Sequence, residues 1–386
     1  MTTTQRHIAV LTGKRGGYGA MRPMLRAIEE APELRLSLIV TDQHVNPKFG
    51  ATASEVARDF EIAAAVDMGQ SGDSPAERTA AIATCMAKMA DVLERLRPDI
   101  LVLYGDRGEV VAAAVAAVNL SVPIAHVQGG DVSGNVDDLF RHAVSKLAHL
   151  HFPSTEASAA RLRAMGEEPW RIHVVGDNHV DAMFALERPD PDDLRRRYEI
   201  AAGERPILVL QHAETIRPRD HRADMAGTLA AVRDAGRRAL VVSPCSDQGY
   251  EGVIAAIEER RGAPGLSIHT NIDAPDFLGL MRMAAVMVGN SSAGLIETPY
   301  ARIPAVNVGE RQRGREHAEN VIHCEMGRAP VAAALDRALN DPAFAETVAA
   351  CRQPFGDGQS YKRIVAALRE TPLGQELLEK PFVDAS

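Results

Sequence analysis

Residues 287–298 read MVGNSSAGLIET. An apolar run ends at Gly289 and Asn290, two serines follow, and Gly294 and Glu297 come after them. At the start of a helix, several backbone N–H groups lack an intrahelical acceptor and carry partial positive charge. Ser291 and Ser292 add hydroxyl donors, so the stretch is suited to holding phosphate oxygens. Glu297, further along, can accept both hydroxyls of a ribose. A serine N-cap with a first-turn glutamate accounts for the same residues without a ligand, and on these letters alone both readings stand. TGKRGGYG (12–19) is a glycine-rich turn carrying Lys14 and Arg15. Its glycines let backbone approach a ligand and its cations would neutralise a diphosphate. It is not GxGxxG, and a surface loop explains it too. GERQRGREHAEN (309–320) brings Arg311, Arg313 and Arg315. Such a segment is either a solvated charge run or a basic loop that closes over a phosphate.

The acids lie elsewhere. In HVQGGDVSGNVDDLFRHAVSK (126–146), Asp131 falls in a loop, while Asp138 and His142 stand four apart on one helix face. Asp106, in YGDRGE, ends a strand. Carboxylates gathered around one site raise each other's pKa and suit acid–base work. For Asp137 or Asp138, an N-cap role competes. His212, in LQHAET, ends another strand, where a structural role competes. The chain has no HExxH, GxSxG or P-loop pattern, which speaks against a zinc protease, a serine hydrolase or a P-loop ATPase.

These residues need a scaffold, and the apolar pattern supplies one. Short apolar runs at 7–13, 34–41, 99–105, 122–127 and 171–176 alternate with helical patterns near 21–31, 76–97, 110–118 and 138–148. A charged, proline-bearing stretch at 185–205 reads as a crossing between domains. The pattern then restarts, with strands at 206–212, 238–244, 266–270, 286–290 and 303–309. Strands apolar throughout and separated by helices mean parallel sheets covered on both faces. The chain is therefore α/β, with two Rossmann-like domains. They are drawn at 1–185 and 186–371, with 372–386 returning to the first; the last helix, near 359–371, is the element that would cross back. In open parallel sheets, ligands bind beyond the carboxyl ends of strands. The polar clusters sit there in one unit after another, so a site in the interdomain cleft is expected.

Composition narrows the class. The chain has 386 residues, of which 46% are hydrophobic and 25% charged, as in globular proteins. A net charge of −9 argues against a nucleic-acid partner, so an anionic ligand must be held by local cations. Cys85, Cys245, Cys324 and Cys351 lie far apart, without CxxC pairs or zinc spacing. Reduced thiols are expected, with no metal and no cofactor. The N-terminal apolar run is too short for a secretory signal and no run reaches membrane-span length, so a soluble cytoplasmic protein without a membrane partner is expected.

TGKRGGYGAMRP, TDQHVNPKFG, GDRGEVVAAAVAAVNLSVPIAHVQGGD, DDLFRHAVSKLAHLHF and GNSSAGLIETPYARIPAVNVGERQRGREHAENVI together resemble the hydrolysing UDP-N-acetylglucosamine 2-epimerases. They sit nearest the branch that makes N-acetylmannosamine, or its 2,4-diacetamido-trideoxy relative, for sialic- or legionaminic-type sugars. The match runs in order from about residue 7 to 325, and 289–321 is its most specific part. The resemblance implies a glycosyltransferase-B-like fold, a nucleotide-sugar substrate and a homodimer. It implies that Gly289, Asn290, Ser291, Ser292 and Gly294 hold the diphosphate, with Arg15, Arg311 and Arg315 near it, and that Glu297 holds the ribose. His212 matches a residue that touches the phosphate or leaving oxygen. Asp106, Asp131 and Asp138 fall on the family's acidic positions. Three departures stand out: Gly17 where an acid is usual, HVQGGD for HxHGGE, and QHAET for QHPVT. They touch the sugar site and leave the nucleotide site intact.

The implied reaction expels the diphosphate from C1 while C2 loses its proton, and water then adds to the resulting 2-acetamidoglucal. Asp131 and Asp138 are the expected pair for proton removal and return, with Asp106 orienting the sugar. A non-hydrolysing 2-epimerase and a retaining glycosyltransferase of the same fold are the alternatives. The base, uridine or guanosine, and the substituents at C4 and C6 are open.

Overall fold

The computed structural model describes residues 5–72, 74–134, 136–215 and 218–384. The chain divides into two compact units, one of Met1–Val132, Val136–Ala185 and Phe355–Ser386, the other of Ser133–Asn135 and Leu186–Pro354. Among the described residues, no helix is long and apolar enough to cross a membrane.

The first unit holds β1 (Arg6–Thr12), β2 (Leu34–Thr41), β3 (Ile62–Val66), β4 (Ile100–Tyr104), β5 (Ile124–Val127) and β6 (Leu150–Phe152). They form one parallel sheet in the order β3-β2-β1-β4-β5-β6. Side chains alternate between the faces of a strand. Ile8 and Val10 of β1 therefore pack with Tyr18, Met21 and Met24 of the Arg15–Glu30 helix. Ala9 and Leu11 pack on the other face with Cys85, Met89 and Leu93 of the Pro75–Leu96 helix. Both faces are covered, which is why these strands read as unbroken apolar runs.

The second unit holds β7 (Ile207–Leu210), β8 (Ala239–Val242), β9 (Leu266–His269), β10 (Val286–Gly289), β11 (Ala305–Val308) and β12 (Val321–Cys324). Their order is β12-β11-β10-β7-β8-β9, again parallel. Ile207 and Val209 face one core, Leu208 the other. Each unit thus has the doubly wound order, with its central strand pair (β1 and β4, or β7 and β10) at the point where the winding reverses.

Several elements differ from the sequence expectation. The run 171–176 adds no strand to the sheet; Ile172 makes a single bridge to His151. β3 and β12, short edge strands, went unanticipated. The first helix begins at Arg15 rather than Met21. The crossing at 185–205 contains a helix, Pro191–Arg197, which Asp190 caps by accepting from Asp192 and Asp193 N–H at 2.8 and 3.2 Å. The second unit ends at Pro354, not 371. The reason is the Ser360–Glu370 helix, which packs on the Arg15–Glu30 and Asn178–Ala185 helices. Asp181, fully buried in the latter, accepts from Ser360 and Tyr361 N–H at 2.8 Å each and caps its start.

Ile364 and Leu368 of that helix are fully buried in the first unit's core. Leu368→Ala should lower stability by roughly 2–5 kcal/mol. Urea titration should show an earlier midpoint for the first unit, with the transition of the second unit unmoved.

Candidate active site

In the first unit, the polar loops follow β1, β4 and β5. Gly105 leaves β4 with φ 81°, a left-handed conformation that glycine adopts without strain, and Asp106 follows. The Val136–Leu147 helix begins a few residues after Asp131 and carries Asp138, Arg141 and His142 on adjoining turns. Arg141 is 1% exposed, yet it is a cation. Its guanidinium pairs with Asp106, donates to Asp138 Oδ1 at 2.8 Å and donates to the Asp131 backbone oxygen at 3.2 Å. Asp131 Oδ1 accepts from the Ser158 hydroxyl at 2.7 Å. The three expected acids are therefore brought together about one arginine.

Sequence reading passed over Arg141 and Ser158. The fixed spacing of Asp138 and Arg141 on one helix face was the available signal. The arginine also alters the electrostatics, since the acids do not simply repel one another. Burial alone would favour loss of its proton; Asp106, Asp131, Asp138 and Asp137 outweigh that and raise its pKa. His142 Nε2 stands 3.8 Å from Asp138 Oδ1, and burial, the largest influence on it, lowers the His142 pKa.

His126 of β5 holds the loop behind these acids. Its Nε2 lies 2.7 Å from Gly105 O, an atom that only accepts, so Nε2 carries the proton. Nδ1 then accepts from the Ser145 hydroxyl at 3.1 Å. Burial pushes this imidazole down to about 3, so it works as a neutral strut. Arg15 opens its helix half-buried, near enough to His44 that its charge helps lower that histidine's pKa to about 4, behind the larger effect of burial.

In the second unit, the loops after β7 and β10 are laced together. His212 N–H donates to Asn290 Oδ1 at 2.7 Å, and Asn290 Nδ2 donates to His212 O at 3.0 Å. Gly289 is obligatory: its φ is 135°, and a Cβ there would lie 2.0 Å from Leu210 O. Cys245 N–H donates to His212 Nδ1 at 3.2 Å, which leaves the His212 proton on Nε2 while the ring is neutral. Among the described residues, no chain group accepts from the N–H of Ser291 or Ser292. Ser291 Oγ accepts weakly from Ala293 N–H at 3.4 Å.

The helix after the serines is only Ala293–Ile296, one turn, followed by a second turn at Thr298–Ala301. The expected long helix dipole is therefore small, and donors must come from the loop N–H groups and hydroxyls. Gly294 lies within the first turn. Glu297 joins the two turns, 5% exposed, and its charge partly offsets the burial that lowers the Arg282 pKa. Arg311 and Arg315 are both buried. Arg311 donates to Asn290 O at 3.3 Å and to Asp247 Oδ2 at 3.0 Å, so it braces the serine loop. Gln312 Nε2 also donates to Asn290 O, at 3.0 Å. Arg313 is the solvated member of that run.

A model of the UDP-N-acetylglucosamine 2-epimerases matches residues 26–369. The chain belongs to this epimerase family. It is 32% identical, over 97% of its length and 98% of the relative's, to the UDP-N,N′-diacetylbacillosamine 2-epimerase (hydrolyzing) of Legionella pneumophila. It is 27% identical to the GDP/UDP-N,N′-diacetylbacillosamine 2-epimerase (hydrolyzing) of Campylobacter jejuni, over 84% of this chain and 85% of that one. The fold is glycosyltransferase-B-like. It aligns with the UDP-GlcNAc 2-epimerase of Neisseria meningitidis bound to UDP-GlcNAc at a TM-score of 0.79 and 16% identity, over 95% of this chain and all of that one.

Within this epimerase, the departures have defined partners. Gln128, at φ 64°, donates to Asp177 Oδ2 at 2.7 Å. Asp177 also takes bonds from Ser154 at 2.8 Å and from His179, and although burial opposes it, these bonds pull its pKa down to about 2. Glu214, of QHAET, accepts from Glu310 N–H at 2.6 Å. At Gly17 a Cβ would meet only ordinary contacts, the nearest being Lys14 at 3.5 Å.

Two outcomes follow from this geometry. Arg141→Met removes the buried cation beside Asp106 and Asp138 and should lower kcat by at least about 100-fold, because these carboxylates lose the charge that holds them in place. UDP affinity, measured by calorimetry, should stay within about threefold. The second outcome concerns acid. Below about 6.5 the unfolded chain protonates its histidines, whereas His126 stays neutral to about 3 and His44 and His149 to about 4. The unfolded state then binds more protons, so stability falls as pH drops through that window. Melting curves should show this slope, and His126→Asn should flatten it.

Proposed function

We propose that this enzyme is a hydrolysing 2-epimerase. It takes a UDP-linked 2-acetamido or 2,4-diacetamido-trideoxy gluco sugar and releases UDP and the free manno sugar, a precursor suited to sialic- or legionaminic-type sugars. The observation that carries this reading is the gathering of Asp106, Asp131 and Asp138 about one buried arginine. The resemblance to relatives named as hydrolysing enzymes supports it.

In this reading Ser291, Ser292 and the loop N–H groups take the diphosphate, Glu297 the ribose, and Arg15 and His212 Nε2–H the charge that develops on the leaving oxygen. A C2 proton beside no carbonyl is only weakly acidic, so the C1–O bond must break with or before its removal. One carboxylate of the Asp131 and Asp138 pair takes that proton. The C2–H electrons form the C1–C2 double bond, and the C1–O pair leaves with the diphosphate. Water then adds its hydroxyl at C1, and an acid on the opposite face returns a proton to C2. The sum is sugar nucleotide plus water giving nucleoside diphosphate plus inverted sugar. Asp106, held by Arg141, orients the sugar.

The test is turnover in deuterium oxide without any acceptor, with the diacetamido and the monoacetamido sugars as UDP and GDP conjugates. Free manno sugar bearing deuterium at C2 should appear in step with UDP. C2 exchange on a sugar still joined to its nucleotide would identify a non-hydrolysing enzyme. UDP release without deuterium would mean plain hydrolysis, and silence without an acceptor would favour a transferase. Asp131→Asn should lower kcat by at least about 100-fold while UDP binds normally. Ser291→Ala with Ser292→Ala should instead weaken UDP by about tenfold or more; unchanged affinity would remove the phosphate assignment.

A further inference from the structure

Beside the loop after β7 lies a cluster of which the proposed epimerase chemistry uses only the far ring nitrogen of His212. Cys245 Sγ stands 3.1 Å from His212 Nδ1 and 3.2 Å from Asp247 Oδ2. One donor atom from each of the three residues lies within 4.8 Å of the others. Among the described residues, no other trio of His, Cys, Asp and Glu side chains meets that closeness. The single Nδ1 lone pair points into this corner, where it now accepts from Cys245 N–H; a metal ion would take that lone pair over and the N–H bond would be given up. The supports are rigid ones: β7 and β8 are adjacent parallel strands, and their carboxyl ends deliver His212 and the Cys245–Asp247 turn side by side.

We propose that His212, Cys245 and Asp247 form a site for a thiophilic divalent cation, with Zn²⁺ the fitting one. A thiol proton held near two acceptors is replaced by a metal bound to thiolate, imidazole and carboxylate. In tetrahedral zinc sites with these ligands the donor atoms sit about 3.3–3.6 Å apart. The two separations here need to widen by only a few tenths of an ångström. Three protein ligands leave the fourth position to water. Arg311, 3.0 Å from Asp247 Oδ2, becomes the outer partner of the carboxylate. Because that guanidinium draws on the carboxylate, the thiolate is the principal ligand, and Cys245 decides the affinity. Binding ties the loops after β7 and β8 together, and it does not depend on which sugar nucleotide the enzyme takes.

The full-length chain, reduced and treated with chelator, is titrated with Zn²⁺ by calorimetry. About one equivalent should bind with release of a proton and a rise in Tm. Co²⁺ in its place should give a thiolate charge-transfer band. Cys245→Ser should abolish the band and weaken zinc by more than about 100-fold, beyond what loss of an outer partner costs. Zinc should also protect one thiol of the native chain from a thiol reagent, and peptide mass should place it at Cys245, a readout that needs no variant. Zinc binding that survives Cys245→Ser, protection at another cysteine, or no binding to the native chain would overturn the proposal.

Discussion

A guanidinium taken out of water is costly unless carboxylates surround it. Arg141 meets that condition inside the first unit, and much of the candidate chemistry depends on it. Its pairing with Asp106 and Asp138 joins the end of β4 to the Val136–Leu147 helix. Its bond to Asp131 O fixes the loop between β5 and that helix. The same helix is held at its other end by Lys380, which donates to Lys146 O at 2.7 Å and Ala148 O at 2.6 Å and pairs with buried Glu167. Burial brings Lys380 down to about 8, against the opposing pull of Glu167. One helix is thus pinned at both ends by cations, the buried Arg141 and the half-buried Lys380, and its acids cannot drift independently of β4.

The second unit solves a similar problem without a central ion. Its serine loop is fixed by a two-way amide bond between Asn290 and the His212 backbone, and by Arg311 and Gln312 on Asn290 O. Both solutions stand at carboxyl ends of neighbouring strands, β4 and β5 in the first unit and the central pair β7 and β10 in the second. At β7 and β10 the winding reverses and two neighbouring loops diverge, leaving room for a ligand. Gly289 is needed because this is also where backbone from β10 passes nearest to β7.

How much of this could be read beforehand follows from what sequence encodes locally. The buried central strands announce themselves, since β1, β4, β7 and β10 are apolar on both faces. The edges do not: β3 is alanine-rich and partly exposed, and β12 carries His323 and Cys324. The run 171–176 has a strand's alternation, but it makes only an isolated bridge at Ile172 and two backbone bonds, from His173 N–H to His151 O and from Val175 N–H to Pro153 O, and no continuous ladder. The return of the last helix to the first unit was expected and is found, but its capping by Asp181, some 180 positions earlier in sequence, was not, because no local signal reports such a pairing. The acids were legible as acids. That they share Arg141 was not, because a lone arginine between Asp138 and His142 reads as one more charge on a helix face.

The departures from the family pattern bear on what kind of enzyme this is. A decaying site leaves polar side chains without partners, since nothing selects their geometry. Here, Gly17 aside, which has no side chain to bond, the replacements are bonded: Gln128 to Asp177, Asp131 to Ser158, and Glu214 to the Glu310 N–H that leads into Arg311. Asp131 is also one methylene shorter than the glutamate usual in HxHGGE, and Ser158 fixes where its carboxylate stands. Substitutions absorbed in this way change the side chains after β5 and β7 while the Asn290–His212 lacing of the serine loop is intact. That combination fits a member of this epimerase family whose polar side chains are held in place better than it fits one whose site has decayed.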